Sequence, residues 1–241
     1  MPTGPFRYPP FSMTTMPMIK IDVLQALYSF YDDFTDQLAF SCGPGCSTCC
    51  SVNVSITSLE ATSLRRHSVL SDTRLQERIN AANRRPHFIP TLTTNRIAHH
   101  CRHRQEPPEE KGMHAPGTCP LLDANGLCRV YENRPFSCRT MSSIQKCQAD
   151  GEAVMPPFLM TINLALYQLI EHLDVEGTSG NMLNMLAGDG RNRISNTPFP
   201  GFLITDREKR PFQHFLNTIK IYPVNSGHLA DFFPLQTFHL N

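Results

Sequence analysis

The sequence contains no tryptophan, no long apolar run and almost no net charge. Its net charge is +1, so the overall charge points to no particular partner. No apolar run approaches the roughly 20 residues that a helix needs to span a bilayer. The N-terminus also lacks the basic and apolar segments of a secretory signal. Together these absences predict a soluble, cytoplasmic protein with no membrane partner.

Sequence signatures of several common enzyme classes are missing as well. We find no Ser-His-Asp arrangement, no phosphate-binding glycine loop and no Rossmann fingerprint. Leu, Ile, Val and Phe make up about a quarter of the chain, which is enough to form a core. The apolar fraction of 40% is nevertheless below the usual range. A contribution besides apolar burial is therefore expected to help hold the fold.

Nine cysteines are the feature that needs an explanation. Four lie within nine residues, and four more follow with eight or nine residues between neighbours. Disulfides suit short secreted chains, whereas this chain has an odd number of cysteines and no export signal. Clustered thiols in a reducing compartment favour metal binding over disulfides or metal-free redox chemistry. The predicted metal ligands are Cys42, Cys46, Cys49, Cys50, Cys119, Cys128, Cys138 and Cys147.

The first group of cysteines lies in a loop that is suited to gathering sulfur atoms. Gly43 and Gly45 favour a tight turn in which backbone N–H groups approach sulfur. Adjacent side chains tend to point away from each other. Either Cys49 or Cys50 is therefore expected to serve a second metal, to bridge two metals, or to pack as a buried thiol.

The second group is predicted to converge through a turn. The tight-turn signal at residues 125–126 should bring Cys119 close to Cys128. A helical turn at residues 130–133, followed by a bend, would return Cys138 to the same place.

Polar residues near the cysteines lead to separate predictions. Arg139 is placed to neutralise an anionic, thiolate-rich site. Cys101 lies among Arg and His residues outside both groups, so we predict that it is not a principal ligand. His99, His100 and His103 are suitable ligands for zinc or iron. The charged residues around them favour an exposed loop instead.

Apolar periodicity predicts a mainly α-helical fold with minor β structure, in which helices surround a cysteine-rich, metal-stapled irregular core. One short strand is indicated by the alternation at Val52, Val54 and Ile56. Helices are expected at residues 18–40, 57–70, 72–84, 156–173 and 181–187, and beyond a capping box at Thr205 and Glu208. The expected organisation is a flexible arm at 1–17, a metal-binding domain at 18–150 and a helical extension at 151–241.

The sequence is markedly basic between Arg65 and Arg104. This stretch has nine arginines and five histidines but only one Asp and one Glu. Such a stretch favours an anionic ligand or acidic partner, with a solvated helix face as the alternative. Nucleic acid is disfavoured as a partner because no aromatic residues are interleaved for base stacking.

The two cysteine groups together resemble the YkgJ-type family, whose signature is C-x-x-C-x-x-C-C. The first interval here has three residues between cysteines instead of two. The same pattern is similar to the cysteine segment of flagellin lysine N-methylases. The matching residues are Cys42, Cys46, Cys49, Cys50, Cys119, Pro120, Leu121, Cys128, Tyr131, Arg134, Pro135, Cys138 and Arg139.

Members of this family are described as zinc- or iron-chelating, or as iron–sulfur proteins. The resemblance therefore implies a metal or cluster held by the cysteines, with Arg134 and Arg139 beside it. It implies no single reaction, because the members are diverse.

Three functional hypotheses follow from these residues. The favoured one is an iron or iron–sulfur protein that acts in redox or modification chemistry on a protein, peptide or small molecule. The alternative is a non-catalytic scaffold with structural Zn²⁺ sites, since eight thiols could form two Cys₄ sites. A radical S-adenosylmethionine enzyme is disfavoured, because no strand precedes the motif and the βα alternation of a barrel is missing.

Overall fold

The computed structural model describes residues 16–110, 112, 115–147, 152–188, 190–225 and 227–233. The chain divides into two units, one from residues 37–203 and the other from residues 1–36 and 204–241. This division differs from the predicted boundary at residue 150, because strands and helices after that point pack with the cysteine-bearing segment. The predicted arm at 1–17 lies outside the described residues, except that the first helix already begins at Met16.

A small antiparallel sheet joins distant parts of the unit at residues 37–203. Its strands are β1 (Ser55–Thr57), β2 (Thr178–Asn181) and β3 (Arg193–Ser195), in the order β1-β2-β3. Ile56 pairs with Gly180, and Ser179 pairs with Ile194. The predicted strand near Ile56 is confirmed in part, whereas β2 and β3 were not predicted.

The helices of this unit begin and end largely at the expected signals. Thr57 and Glu60 form the predicted capping box of α2, and Gly188, with a φ of 75°, ends α7. The helix predicted to reach residue 70 ends earlier, and a 3-10 turn at Ser68–Ser71 follows it. The helices are α2 (Ser58–Arg65), α3 (Thr73–Asn83), α4 (Thr94–Arg102), α5 (Phe136–Thr140), α6 (Pro157–Leu173) and α7 (Met182–Ala187).

The hydrophobic core of this unit extends to the cysteines. Leu64, Leu75 and Leu186 from α2, α3 and α7 pack in one cluster with Leu121 and Val130. Cys119 belongs to the same cluster, and the partly buried cysteines that pack against it are Cys50, Cys128 and Cys138. The cysteine loops therefore lie at the edge of the core, which positions the candidate site.

A buried carboxylate connects the ends of three elements in this unit. Asp174, just beyond α6, accepts hydrogen bonds from Ser58 Oγ at 2.6 Å and from the Leu59 N–H at 3.0 Å. Asn196, after β3, donates to the same oxygen at 3.2 Å. These bonds hold the start of α2 against the chain that follows the cysteine segment.

The other unit is built from two helices with aromatic contacts. They are α1 (Met16–Thr35) and α8 (Lys209–Lys220), and a hairpin of β4 (Pro223–Val224) and β5 (Gly227–His228) follows α8 and contacts α1. The Phe30 ring lies 5.6 Å from that of Phe215 and 5.3 Å from that of Tyr222. The predicted apolar stripe of α8 is buried, and the predicted capping box at Thr205 and Glu208 is present.

The first helix ends at Thr35 rather than at residue 40. The Thr35 hydroxyl donates to the backbone oxygens of Tyr31 at 2.8 Å and Asp32 at 3.2 Å, which satisfies carbonyls of the last turn. The mainly α fold with minor β structure is confirmed. Among the described residues, no helix combines the length and apolar content that a membrane crossing requires.

Candidate metal centre

The predicted turn brings Cys119 and Cys128 together. Gly126 has a φ of 77°, and the Asp123 carboxylate accepts the N–H of Asn125 at 2.8 Å and of Leu127 at 2.9 Å. This Asx turn folds the chain back so that Leu122 pairs with Cys128. The turn signal in the sequence was therefore sufficient to predict this contact.

Backbone N–H groups point at the sulfur atoms of this turn. Burial raises the pKa of Cys119 and of Cys128, and the N–H groups of Leu121 and Val130, respectively, offset part of that rise. Each donor lies two residues beyond its cysteine. Such bonds stabilise a thiolate and tune a metal bound to it.

Cys138 joins these two cysteines from a helix instead of the predicted bend. Residues 131–133 form the expected helical turn, and Pro135 then begins α5. Burial raises the pKa of the Cys138 thiol well above its usual value, and the neighbouring thiols of Cys119 and Cys128 raise it further. Three of the four cysteines of the second sequence group thus come close in space.

Cys50 completes an inner group of four thiols. Its backbone oxygen accepts the N–H of Cys119 at 3.1 Å, and Ser51 pairs with Thr118 in an isolated bridge. The hydrogen bond with Cys49 and burial raise the pKa of Cys50 most, and the thiols of Cys119 and Cys138 raise it further. We call this set the inner group: Cys50, Cys119, Cys128 and Cys138.

The remaining thiols of both sequence groups lie near one another at a more open position. The N–H of Ser41 donates to the backbone oxygen of Ser143 at 2.8 Å, which brings the two loops together. Burial raises the pKa of Cys42, and the thiols of Cys46, Cys147 and Cys49 raise it further. We call this set the outer group: Cys42, Cys46, Cys49 and Cys147.

An open cleft of about 590 Å³ lies over the outer group. Cys42, Cys46 and Cys147 line it together with Lys146. Cys46 and Cys49 are exposed, whereas Cys119 of the inner group is buried. The two groups therefore differ in their access to solvent.

The Cys49 thiol lies between the two groups, since it contacts Cys50 and also raises the pKa of Cys138. The Cys50 S–H donates to the Cys49 sulfur, which lowers the pKa of Cys49 and raises that of Cys50. Burial also raises the pKa of Cys119 to about 11. A bound cation would supply the charge that favours the thiolate forms of these buried groups.

The chemistry of this donor set fits a metal that prefers sulfur. All nine cysteines are free thiols in the described part of the chain. Eight of them lie in the two groups, and backbone N–H groups already point at two of the sulfurs. Within that part, no three His, Cys, Asp or Glu side chains stand in the arrangement that holds a metal ion. Metal binding would therefore have to draw the sulfur atoms closer together.

The cysteine-rich segment matches a known protein family. Residues 41–155 match the CxxCxxCC family, described as a "putative zinc- or iron-chelating domain". The match covers slightly less than half of the chain and includes all nine cysteines. No curated protein and no solved structure matches the chain. The predicted family and its metal-binding, cysteine-rich character are confirmed, and the family description is consistent with either metal.

The CxxCxxCC domain contains all nine cysteines but does not complete its own unit of the fold. Its strand β1 pairs with β2, which lies beyond residue 155. Asp174, also beyond the match, holds the start of α2. The segment at 156–203 is therefore an integral part of the structure that supports the cysteines.

The two predicted arginines occupy different positions around the CxxCxxCC cysteines. Burial raises the pKa of Cys128 and Arg134 offsets part of that rise; the Arg134 guanidinium lies 4.0 Å from the ring centroid of Tyr131. Arg139 is buried and donates to the backbone oxygens of Glu132 at 2.6 Å and Arg134 at 3.1 Å. Arg139 therefore braces the turn that precedes Cys138, and direct cofactor binding by either arginine stays a prediction.

Two charged residues near the inner group escaped the sequence prediction. Arg78 on α3 lowers the pKa of Cys119 and donates to the Leu122 backbone oxygen at 2.7 Å. Glu60 accepts the Phe136 N–H at 2.9 Å and raises the pKa of Cys138. Only the capping-box signal singled out Glu60, and nothing in the sequence linked it to a cysteine.

The basic stretch between Arg65 and Arg104 is spread over several elements. Arg65 donates to the Met185 backbone oxygen, and the Arg102 guanidinium lies against Gly201. Arg78 and Arg85 line an open cleft beside Cys119. An anionic ligand or acidic partner at this stretch stays a prediction.

The segment around Cys101 is a helix, which corrects the predicted exposed loop. It forms α4, because Thr93 caps the helix by accepting the Arg96 N–H at 3.2 Å. The rings of His99 and His103 stack at 4.1 Å on one side of this helix. Cys101 is exposed and does not contribute to the pKa shifts of the other thiols.

We expect Cys101→Ser to retain its full metal content, because Cys101 lies outside both thiol groups. Metal per chain, measured on protein purified without oxygen, should equal that of the wild type. Cys128→Ser is the matched comparison and should lose metal sharply, since it removes a member of the inner group. Equal losses in the two variants would show that Cys101 and its neighbouring histidines belong to the metal site.

Proposed function

We propose that the CxxCxxCC domain holds two metal centres, one in the inner group and one in the outer group. The observation that carries this proposal is the regrouping of thiols across the two sequence clusters. Cys147 lies with Cys42, whereas Cys50 lies with Cys119 and Cys138. Each group then has four thiols, which is the ligand number of a tetrahedral metal or of an iron–sulfur cluster.

We favour iron, as iron–sulfur clusters, over zinc. A bound cluster would supply one-electron transfer, and its potential depends on hydrogen bonds to sulfur and on nearby charge. The N–H groups of Leu121 and Val130 would donate to sulfur, while Arg78 and Arg134 would offset the negative charge of the thiolates. Burial of Cys119 at the core edge would exclude water from the inner centre.

The activity that we propose is redox or modification chemistry on a protein, peptide or small molecule. The inner centre would be protected from solvent. The cleft over the outer group would give the outer centre access to solvent or to a partner. The second candidate is a non-catalytic scaffold with two Zn²⁺ sites. Packing of the inner thiols against the hydrophobic core favours this candidate, since closed Cys₄ sites stabilise folds.

Anaerobic purification followed by iron, zinc and acid-labile sulfide analysis tests the proposal. We expect iron and sulfide in comparable amounts, with broad visible absorption that bleaches on reduction. Zinc at about two ions per chain without sulfide would overturn the iron proposal and support the scaffold. Protein that folds fully and binds neither metal would overturn both.

A further inference from the structure

A cavity of about 240 Å³ lies beside the inner group, between β1, α4 and α6. Cavities of about 150 Å³ already admit a molecule of the size of benzene. The present cavity therefore has room for a slightly larger organic molecule. Its lining includes Ser137, the neighbour of Cys138, and Tyr167, whose pKa Cys138 helps to raise.

The wall of this cavity combines apolar surface with hydroxyl groups. Ile56, Phe88 and Ile170 provide apolar surface, whereas Ser179 and Tyr167 provide polar atoms. Small-molecule sites in proteins have this character, with a few polar groups that fix the orientation of an apolar ligand.

The charges that line the cavity are all negative. Glu60, Glu110 and Glu171 contribute carboxylates, and the lining residues that the structure describes include no Lys, Arg or His. Burial of a carboxylate is costly unless the group is paired or hydrogen-bonded. Burial accordingly raises the pKa of Glu171.

Backbone donors hold these carboxylates in fixed positions. The N–H groups of Asn95 and Thr197 donate to Glu171, each at 2.7 Å. Thr91 and Leu92 donate their N–H groups to Oε1 of Glu110 at 2.8 and 2.9 Å. A carboxylate has about four acceptor positions, so each of these side chains can still accept a bond from a ligand.

From this combination we propose that the cavity binds a small organic cation, an amine with an apolar body. The apolar wall would take the body of the ligand, and the carboxylates of Glu110 and Glu171 would take the ammonium group. Binding itself does not depend on the metal, whereas a role of the amine as substrate of the inner centre rests on the proposed function. The Ser137 side of the cavity would place the ligand one residue from Cys138.

Three probes of one shape and different charge test the proposal. Benzylamine, benzyl alcohol and benzoate are titrated against the metal-loaded protein at neutral pH, with binding followed by NMR chemical-shift changes. We expect benzylamine to bind at least about tenfold more tightly than benzyl alcohol, since bonds to a charged acceptor are the stronger ones. Benzoate should not bind.

Two variants assign the binding to this cavity. Glu110→Gln keeps the Oε1 acceptor for Thr91 and Leu92 but removes the negative charge. The affinity for benzylamine should therefore fall toward that for benzyl alcohol. Glu109→Gln is the matched control, because the Glu109 carboxylate is next to Glu110 in the sequence but is exposed and does not line the cavity. Ile97→Phe should block both benzylamine and benzyl alcohol by filling the cavity.

Equal affinity for benzylamine and benzyl alcohol would overturn the proposal. So would equal effects of Glu110→Gln and Glu109→Gln, which remain informative even where Ile97→Phe does not fold. Zinc in place of iron would refute the favoured metal but would leave the amine titration unchanged. Failure of the two proposals is therefore distinguishable.

Discussion

Removal of the bound metal is expected to unfold residues 41–147 far more than helix α6 at Pro157–Leu173. The described parts of the loops at 41–54 and 103–130 contain little regular structure, and the cysteines share their contacts to the core with a few apolar residues, such as Leu121 and Val130. Structural zinc contributes about 10–16 kcal/mol in small zinc-finger peptides, where metal binding and folding are coupled. Helix α6 instead buries Leu159, Ile162 and Leu166 without any thiol.

Hydrogen exchange on the metal-loaded and the chelator-treated protein, read by mass spectrometry, measures this difference. Peptides that contain Cys46 or Cys128 should lose most of their protection without metal, whereas α6 should keep most of its own. The control is α8, which lies in the other unit and should be unaffected. Equal protection of 41–147 in both forms would contradict the expectation, and so would an equal loss in α6.

Local signals in the sequence account for much of the fold around the site. The Thr57–Glu60 capping box begins α2, and Asp72 caps α3 where that helix was predicted to start. The Asx turn at Asp123 brings Cys119 to Cys128. In each case, residues within about four positions of one another decide the conformation, so pattern and capping chemistry were sufficient.

Long-range pairing accounts for what the sequence did not reveal. Strand β2 is polar and short, and it becomes a strand only because Ile56 pairs with Gly180. The approach of Cys147 to Cys42 depends on contacts between residues about a hundred positions distant, such as Ser41 with Ile144. No local periodicity records such contacts, and the sequence grouping of the cysteines therefore differs from their grouping in space.

A local capping signal also explains why α4 forms in place of the predicted exposed loop. The Arg- and His-rich composition of residues 96–104 indicated an exposed loop, yet the stretch follows a Thr cap and buries Ala98 against the rest of its unit. Asn95, also buried, donates its side-chain N–H to the Gln168 backbone oxygen at 3.1 Å. Helix α4 is therefore held by apolar and polar contacts at buried positions, which its average composition does not reveal.

The regrouping of the thiols predicts how pairs of cysteine variants combine. Cys42→Ser and Cys147→Ser each remove a member of the outer group, so the double variant should lose no more metal than either single variant. Each should fall from about two centres per chain to about one, since an incomplete four-thiol site rarely retains its metal. Metal analysis of anaerobically purified protein gives this stoichiometry.

Combining Cys42→Ser with Cys138→Ser should instead remove both centres, because these residues belong to different groups. The losses of independent sites add, whereas losses within one site do not. Release to a chelator should also distinguish the single variants. Cys138→Ser leaves only the outer centre, which lies under the open cleft and should release quickly, whereas Cys42→Ser leaves the slower inner centre.

The opposite pattern would support the grouping along the sequence. In that arrangement Cys147 and Cys138 share one centre, so Cys138→Ser with Cys147→Ser would cost only one metal, while Cys42→Ser with Cys147→Ser would cost both. The geometry around Ser143 argues against it, because the Ser41 N–H bond and the Cys42 contact to Ser143 place Cys42 beside the loop that carries Cys147. The two double variants that contain Cys147→Ser therefore show whether the thiols bind metal in the groups formed in space or in the groups formed along the sequence.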